Sequence, residues 1–349
     1  MAQTARALHG TFNVISVISD NSKLATYLDK DNCIELEKKS KLFIYFSANK
    51  LAKIIDKYNV KIIHIHWTKD IPLVVLGKLL SVSKPKIVQS RHMTMTRFKK
   101  DFYHKFLYKN IALLLPVTNQ VHEQLKKFIS TDVIPKVITL YPGVESNEEL
   151  TQEQRNVLKR KLKFEDENFN IVMVGRINHN KGQYLLIDAI EVLIEKGINV
   201  KAYFIGNAMN RNYLNKLKMK VKNKNLENYI EFLGFMNNVN EVYQISDAMV
   251  LASKKETFGL VLVEAMMAST AVIGSNSGGV VEIIDDEKNG LLFETENSVS
   301  LGEKIELLIK EETLSNKIII AAKVKALDKF ESKKQLEKLI TLFYKELLS

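Results

Sequence analysis

Apolar and polar positions fall into two kinds of segment along this chain. Short runs rich in isoleucine and valine, TFNVISVI (11–18), KIIHIH (61–66), KIVQS (86–90) and KVITLY (136–141), have the length and β-branched content of buried strands. Between them lie segments with helical spacing, such as 47–58 and 121–129. The alternation then starts again. NIVMVG (170–175), VKAYFIG (200–206), YIEFLG (229–234) and DAMVLAS (247–253) read as strands, and 184–197 and 260–268 as helices. Strands alternating with helices predict α/β domains on parallel sheets, and two such series predict two doubly wound domains.

The polar segment 143–168 divides the series. It is highly charged, holds no strand pattern and follows Pro142-Gly143. The expected organisation is an N-terminal domain over 1–150, a linker over 151–168, a second domain over 169–330 and a terminal helix over 331–349. In that helix Leu336, Ile340, Phe343 and Leu347 recur at i, i+4, i+7 and i+11, so one face is buried. No repeat of short fixed period is present.

The chain has 349 residues, 46% hydrophobic and 26% charged, an ordinary globular balance. Uncharged apolar stretches such as 71–77 fall far short of the ~18 residues a helical membrane span needs. Surface attachment stays open. Cys33 is the one cysteine, so neither an internal disulfide nor a cysteine-based zinc cluster is expected. No basic-then-apolar leader opens the chain. These features predict a cytoplasmic protein, either soluble or peripheral on the inner face of a membrane. The net charge of +11 is unevenly placed. Residues 1–150 carry 23 Lys and Arg against 13 Asp and Glu, whereas 151–349 carry 28 against 27. A basic half fits a polyanionic neighbour: nucleic acid, an anionic membrane or a phosphorylated substrate. A lysine-rich coding bias is the plain alternative, but it does not explain why only one half is affected.

Two segments carry candidate chemistry. In VGRINHNKG (174–182) a strand ends at Gly175, Arg176 follows, and Lys181-Gly182 opens a helix. Two cations at a strand end and a helix start suit a diphosphate, since ligands of open α/β sheets bind at that edge. Arginine offers a planar fork of donors and lysine a point charge. Alone, the segment could equally be a polar loop with two solvated cations. In ASKKETFGLVLVEAMMA (252–268), Glu256 sits just after a strand and Thr257-Phe258-Gly259 leads into a helix carrying Glu264. The loop-to-helix turn lets the two carboxylates converge on one ligand. The helix start exposes unpaired N–H groups suited to phosphate, and carboxylates accept from sugar hydroxyls. Solvated glutamates are the bland reading. It is weak for Glu264, whose helix is otherwise apolar, so its carboxylate wants a partner.

These residues carry a resemblance. ETFGLVLVE with its Glu-x7-Glu spacing, the upstream VGR-x4-KG, and SGGVVEIIDDEKNGLLFE (277–294) with Gly278, Gly279, Glu282 and Gly290 resemble family-4 glycosyltransferases (glycosyl transferases group 1). The match is specific over 169–349 and looser over 1–150. It implies a GT-B fold, two Rossmann-like doubly wound domains facing across a cleft, with the terminal helix crossing back onto the N-terminal domain. It further implies a nucleotide-diphosphate sugar donor, retention of anomeric configuration, no cofactor and no divalent metal. On that resemblance Arg176 and Lys181 match the pair that holds the donor diphosphate, and Glu256 the residue that contacts sugar hydroxyls. Gly259 and Leu260 match positions whose backbone amides approach sugar and phosphate, and Glu264 the ribose-binding glutamate. Asp29-Lys30-Asp31, the one Asp-x-Asp, reads as a surface turn.

In the N-terminal half, Arg91-His92 follow a strand, and His92 resembles the family's cleft histidine, expected to hydrogen-bond the donor sugar or the reacting centre. Its alternative is an ordinary loop histidine. His64 and His66 alternate along a strand and read as structural, although His66 could line the cleft; no third ligand stands nearby to make them a metal pair. In RFKKDFYHKFLYKN (97–110), Phe98, Phe102 and Phe106 recur at four-residue spacing among Arg97, Lys99, Lys100, Lys105 and Lys109. Such a stripe is more often core than membrane anchor, but with the basic charge of this half it becomes a candidate membrane face, with Arg91, Arg97, Lys99 and Lys100 on the acceptor or membrane side. Family members open with a strand and a Gly-Gly loop before the first helix. MAQTARALHG resembles that helix, so the strand and loop are expected to be missing from this sequence.

The expected activity is therefore sugar transfer from a nucleotide-diphosphate sugar to a membrane glycolipid or lipid-linked glycan in envelope polysaccharide synthesis. The alternatives are a nucleotide-sugar enzyme of the same fold with a soluble acceptor, or an inactive truncated relative. Nucleic acid is not an expected partner, because neither an aromatic–basic platform nor a helix-turn-helix pattern is present.

Overall fold

The computed structural model of the protein describes residues 2–37, 44–146 and 148–348. The chain divides into one unit of Met1–Tyr141 with Lys333–Ser349 and another of Pro142–Ser332. In the first unit the order is α1 (Ala2–Leu8), β1 (Ser16–Ser19), β2 (Cys33–Leu36), α2 (Ile44–Lys57), β3 (Ile62–Ile65), α3 (Ile71–Leu80), β4 (Lys86–Arg91), α4 (Phe102–Lys109), β5 (Leu113–Pro116), α5 (Asn119–Phe128) and β6 (Lys136–Val137). The second unit continues with α6 (Gln152–Leu162), β7 (Phe169–Val174), α7 (Gln183–Glu195), β8 (Val200–Ile205), α8 (Arg211–Asn223), β9 (Ile230–Gly234), α9 (Val239–Tyr243) and β10 (Ala248–Leu251). It ends with α10 (Leu260–Met267), β11 (Ala271–Ser275), α11 (Val280–Ile283), β12 (Leu291–Phe293), α12 (Ser298–Lys310) and α13 (Glu312–Lys329). The last helix, α14 (Ser332–Phe343), belongs from Lys333 onward with the first unit.

In the first unit, β3, β4, β5 and β6 form a parallel sheet in that order, and β1 and β2 form a separate parallel pair. Successive side chains of a strand point to opposite faces, and the two faces have different partners. Ile87 and Leu114 enter a core with Leu51, Ile55, Val75, Val121 and Leu125 from helices α2, α3 and α5. Val88, Leu113 and Leu115 enter a second core with Leu8, Leu339, Phe343 and Leu347. Because both faces are covered, β5 is a continuous buried apolar run, Leu-Leu-Leu-Pro, with no polar alternation. Such a short apolar run does not announce itself as strand rather than helix by period, and β5 was not among the strands expected. The start of α1 is as anticipated helical, Met1 itself lying outside the described residues.

The second unit holds a six-stranded sheet in the order β12-β11-β10-β7-β8-β9, every neighbouring pair parallel. The chain winds from β7 to β9 in one direction and from β10 to β12 in the other, so the order reverses between β7 and β10. All six residues of β8 and all four of β10 are buried. Val200, Ala202 and Phe204 of β8 and Ala248 and Val250 of β10 pack with Leu186, Ile190, Leu193, Leu301 and Ile305 of α7 and α12 into one core. Each large aliphatic side chain so buried contributes roughly 1.5–3 kcal/mol.

Two expectations change. The segment read as a linker carries the helix α6, started by a capping box in which the Thr151 hydroxyl accepts from Gln154 N–H and the Gln154 amide reaches back to the Thr151 backbone. The phenylalanine stripe is not one helical face. Helix α4 begins only at Phe102, because Asp101 caps it, accepting from His104 N–H at 3.0 Å. Phe98 lies before the helix, edge-on to Phe128. Phe98, Phe102 and Phe106 are 57%, 88% and 39% exposed, so they face outward rather than into the core. Among the described residues no helix is long and apolar enough to cross a membrane.

Candidate functional site

The strand order fixes which loops meet. In an open parallel sheet, the loops that leave the carboxyl ends of the two strands flanking the reversal diverge to opposite faces and open a crevice. Here those strands are β7 and β10, and their loops are the ones that carry Arg176, Lys181 and Glu256. The first loop leaves β7 at Gly175, whose φ of +151° lies in territory open to glycine. Arg176 follows on the surface. Among the described residues its guanidinium has no hydrogen-bond or ion-pair partner, while its carbonyl accepts from the Gln183 side-chain amide at 3.1 Å. Ile177 is buried beneath the loop and anchors it. A single helical turn, His179–Lys181, then leads to Gly182 at φ +76°. A Cβ there would sit 2.2 Å from the carbonyl oxygen of Ala252, so only glycine lets the start of α7 rest on the end of β10. Lys254 N–H donates to Asn180 C=O at 3.0 Å and ties the two loops together.

The result is a direct contact between two residues far apart in sequence. Lys181 Nζ lies 2.6 Å from Glu256 Oε2, with side chains 24% and 20% exposed. The loop carrying Glu256 is seated from below by the second glycine motif. Gly279 N–H donates to Glu256 C=O at 2.9 Å. Cβ atoms on Gly278 and Gly279 would meet the carbonyl oxygens of Glu256 and Thr257 at 2.1 and 2.2 Å. The Gly278-Gly279 pair therefore seats the loop that carries Glu256. Phe258 is buried edge-on against Phe330, and Gly259, at φ +104°, opens helix α10. Leu260 is exposed at the first turn, where backbone N–H groups have no partner within the helix. Glu264 lies one turn further. Burial pushes its carboxyl above the ordinary range, and the Tyr243 hydroxyl, donating to Oε2 at 3.3 Å, opposes that shift.

The candidates of the N-terminal half lie in the other unit. Arg91 is buried and occupied with its own loop: Nε donates to Met93 C=O at 2.8 Å, Nη1 to Thr68 Oγ1 at 2.7 Å and Nη2 to Thr94 C=O at 3.2 Å. Its guanidinium is a loop brace in this structure. His92 is exposed and joins a cluster with His64 and His66. His66 Nδ1 and His92 Nε2 are 3.3 Å apart, the His64 and His66 rings are 4.2 Å apart, and His64 Nε2 lies 2.8 Å from Ser90 Oγ. Burial and the neighbouring histidines depress His64 to about 3 and His66 to about 2, and burial lowers His92 as well. The cluster is thus a set of neutral imidazoles at neutral pH. Among the described residues no group of three or more His, Cys, Asp or Glu is arranged to hold a metal ion. Arg97, Lys99 and Lys100 lie beside the outward phenylalanines, with Lys100 Nζ 4.7 Å from the centre of the Phe98 ring. Asp29 and Asp31 are exposed.

Local sequence did not point to Tyr243, in the unremarkable stretch EVYQIS, nor to a role for Gly278-Gly279 beneath Glu256. A buried tyrosine hydroxyl beside the half-buried carboxylate of Glu264 is recognised only once the helices are packed.

Residues 154–325 match the sequence family glycosyl transferases group 1, and residues 1–120 match glycosyl transferase 4-like proteins. Over 280 residues the chain is 32% identical to alpha-monoglucosyldiacylglycerol synthase of Acholeplasma laidlawii, covering 72% of this chain and 67% of that one. Its structure resembles that of a glycosyltransferase from Rickettsia africae, with a TM-score of 0.89, 26% identity and coverage of 99% and 93%. It also resembles Anabaena HepE in complex with UDP, with a TM-score of 0.81, 19% identity and coverage of 94% and 91%.

Proposed function

The chain belongs to the glycosyl transferases group 1 family, and from that premise we propose that it moves a sugar from a nucleotide-diphosphate donor to a membrane glycolipid or lipid-linked glycan, with retention and without a divalent metal. Its fold is GT-B and its class is transferase. One observation supports the donor assignment: at the carboxyl ends of β7 and β10 the Lys181 ammonium meets the Glu256 carboxylate, in the loops that also carry Arg176 and the helix start at Gly259. Arg176 and Lys181 neutralise the diphosphate and stabilise it as it leaves, the charge a metal would otherwise supply. The N–H groups at Gly259 and Leu260 approach phosphate and sugar. Glu256 accepts from sugar hydroxyls, and Glu264 from ribose hydroxyls. His92, neutral at working pH, is assigned a hydrogen bond to the donor sugar. In the reaction the bond from the anomeric carbon to the diphosphate oxygen breaks. A bond to the acceptor oxygen forms on the same face of the sugar, and the acceptor proton leaves with the diphosphate or to water.

The acceptor class is supported by the outward phenylalanines. Phe98, Phe102 and Phe106 interleave with Arg97, Lys99 and Lys100 on the half of the chain that holds nearly all the net charge. Rings that enter an interface and cations that meet anionic headgroups fit docking on the inner face of a membrane, each cation adding about 1 kcal/mol. The Anabaena structure is a complex with UDP, and monoglucosyldiacylglycerol is in the name of the Acholeplasma protein. They set the first probes. Wild type is incubated with UDP- and GDP-sugars, and nucleotide release is followed with and without lipid acceptors. Glu256→Gln and Lys181→Ala are expected to abolish transfer while the fold is kept; turnover within threefold of wild type for either would overturn the assignment. Vesicle co-sedimentation tests the membrane: binding should favour anionic over neutral vesicles, fall with salt, and be lost in Phe102→Ser/Lys100→Glu. Equal partition to both vesicle types would leave a soluble acceptor.

A further inference from the structure

The carboxylate of Glu264 is an anomaly in its helix. Around it Leu262, Val263, Ala265, Met266 and Met267 of α10 are all buried, and a half-buried carboxylate among such neighbours is costly without a partner. Among the described residues that partner is not a cation. It is the neutral hydroxyl of Tyr243, donating to Oε2 at 3.3 Å. A lysine or arginine there would cancel the charge, whereas a tyrosine orients the carboxylate and leaves the charge for a ligand. The other oxygen, Oε1, has no partner among the described residues and is not one of their sealed, unpartnered polar atoms.

Tyr243 is itself held rigidly. It is fully buried. Its carbonyl accepts from Thr270 Oγ1 at 2.6 Å and from Ser246 N–H at 3.0 Å. Thr270, also buried, donates its N–H to Ala265 C=O at 3.0 Å, so one threonine joins the end of α9 to α10. The hydroxyl of Tyr243 therefore has a fixed place relative to the helix that bears Glu264. Burial and the neighbouring carboxylate raise the phenol well above its ordinary range, which keeps it a donor.

We propose that Tyr243 is a positioning residue for the nucleotide: its hydroxyl holds Oε2 of Glu264 so that Oε1 is presented to the ribose hydroxyls. The proposal deepens the donor assignment and rests on it. Tyr243 does not touch the nucleotide. At 3.3 Å its bond is longer than an ordinary O–H···O contact, so it steers the carboxylate rather than clamping it.

The test uses calorimetric binding of whichever of UDP and GDP the wild type binds more tightly, together with the 2′,3′-dideoxy form of the same nucleotide. Wild type should prefer the ribose form. Tyr243→Phe keeps the ring and removes one hydrogen bond, so it should raise Kd for the ribose form about three- to tenfold, the range of one net hydrogen bond, and leave Kd for the dideoxy form within twofold. The dideoxy affinity reports that the fold and the phosphate contacts are intact. Equal weakening of both nucleotides would make Tyr243 merely structural, and an unchanged ribose preference would remove its role; either overturns the proposal. Glu264→Gln separates the two levels. If it abolishes the ribose preference while Tyr243→Phe keeps it, the donor assignment stands and the tyrosine's part falls. If wild type shows no ribose preference, or Glu264→Gln retains it, the assignment of Glu264 falls and the proposal with it.

Discussion

Replacing Lys181 by methionine and Glu256 by glutamine, singly and together, tests the contact on which the donor site is built. In the free protein the pair is made at 2.6 Å, with each side chain about three-quarters or more buried. Gross attraction at that separation, with an effective dielectric constant of 20, is about 6 kcal/mol. Desolvation of both groups and screening through their exposed portions reduce the net coupling to about 1–2 kcal/mol. A double-mutant cycle on thermal unfolding should recover that coupling, seen as a shift of about 2–4 °C per kcal/mol for a domain of this size. The same contact predicts opposite signs in ligand binding. A diphosphate arriving at Lys181 competes with Glu256 for the ammonium. Lys181→Met should weaken UDP or GDP binding about ten- to a hundredfold, the loss of a charged hydrogen bond. Glu256→Gln frees the ammonium and should leave nucleotide diphosphate binding unchanged or tighter. Both should lose transfer by roughly 2.7–4 kcal/mol of barrier, a factor of about 10²–10³. Binding by calorimetry and turnover with a nucleotide sugar measure these separately. A coupling indistinguishable from zero would mean the pair is not formed in solution. Weakening of nucleotide binding by Glu256→Gln as large as by Lys181→Met would show the carboxylate helping to hold the phosphate, against the competition argued here.

Gly279→Ala places a Cβ 2.2 Å from the Thr257 carbonyl and 2.7 Å from Phe258 Cα, so the loop under Glu256 must move; turnover should fall more than tenfold with the overall fold kept by circular dichroism, and wild-type turnover would refute the seating role. EDTA should leave transfer within twofold, since Arg176 and Lys181 supply the charge; a tenfold loss restored by Mg²⁺ or Mn²⁺ would refute it. His64 and His66 are held down to about 3 and about 2 from an ordinary 6.5. The unfolded chain therefore binds their protons first. Their contribution to stability is complete above pH 6.5 and is lost as pH falls below it, by about 1.4 kcal/mol per pH unit for each. Denaturant titrations between pH 7.5 and 5 should show a shallower fall for His64→Gln than for wild type, and equal slopes would contradict the burial of a neutral imidazole.

Much of the architecture is written locally. A buried strand such as Ala248–Leu251 is an uninterrupted apolar run because parallel sheets are covered on both faces, and that is visible residue by residue; in Val200–Ile205 the run is broken by Lys201, which is buried against Glu165. Glycines at tight positions, Gly182 and Gly259 among them, stand out as the residues that permit left-handed turns at helix starts. The capping box at Thr151–Gln154 is equally present in the sequence, but a charged segment without strand pattern reads as a linker, since hydrophilic helices have little apolar period to show. The outward turn of Phe98, Phe102 and Phe106 was not legible either: four-residue spacing implies one face only if the helix spans all three, and Asp101 starts it after the first. Arg91, similar on paper to any loop cation, is taken up by three contacts that depend on where Thr68 and the 93–94 turn arrive. The site itself shows the division most clearly. The types of residue at 176, 181, 256 and 264 could be read as a diphosphate and hydroxyl binder. That Lys181 meets Glu256, and that Tyr243 meets Glu264, follows from β10 pairing with β7 and α9 packing beside α10. Hydrophobic period is a one-dimensional signal of which side of each element is buried. Which strand ends become neighbours is decided by crossover connections over many residues, and only the folded sheet sets it.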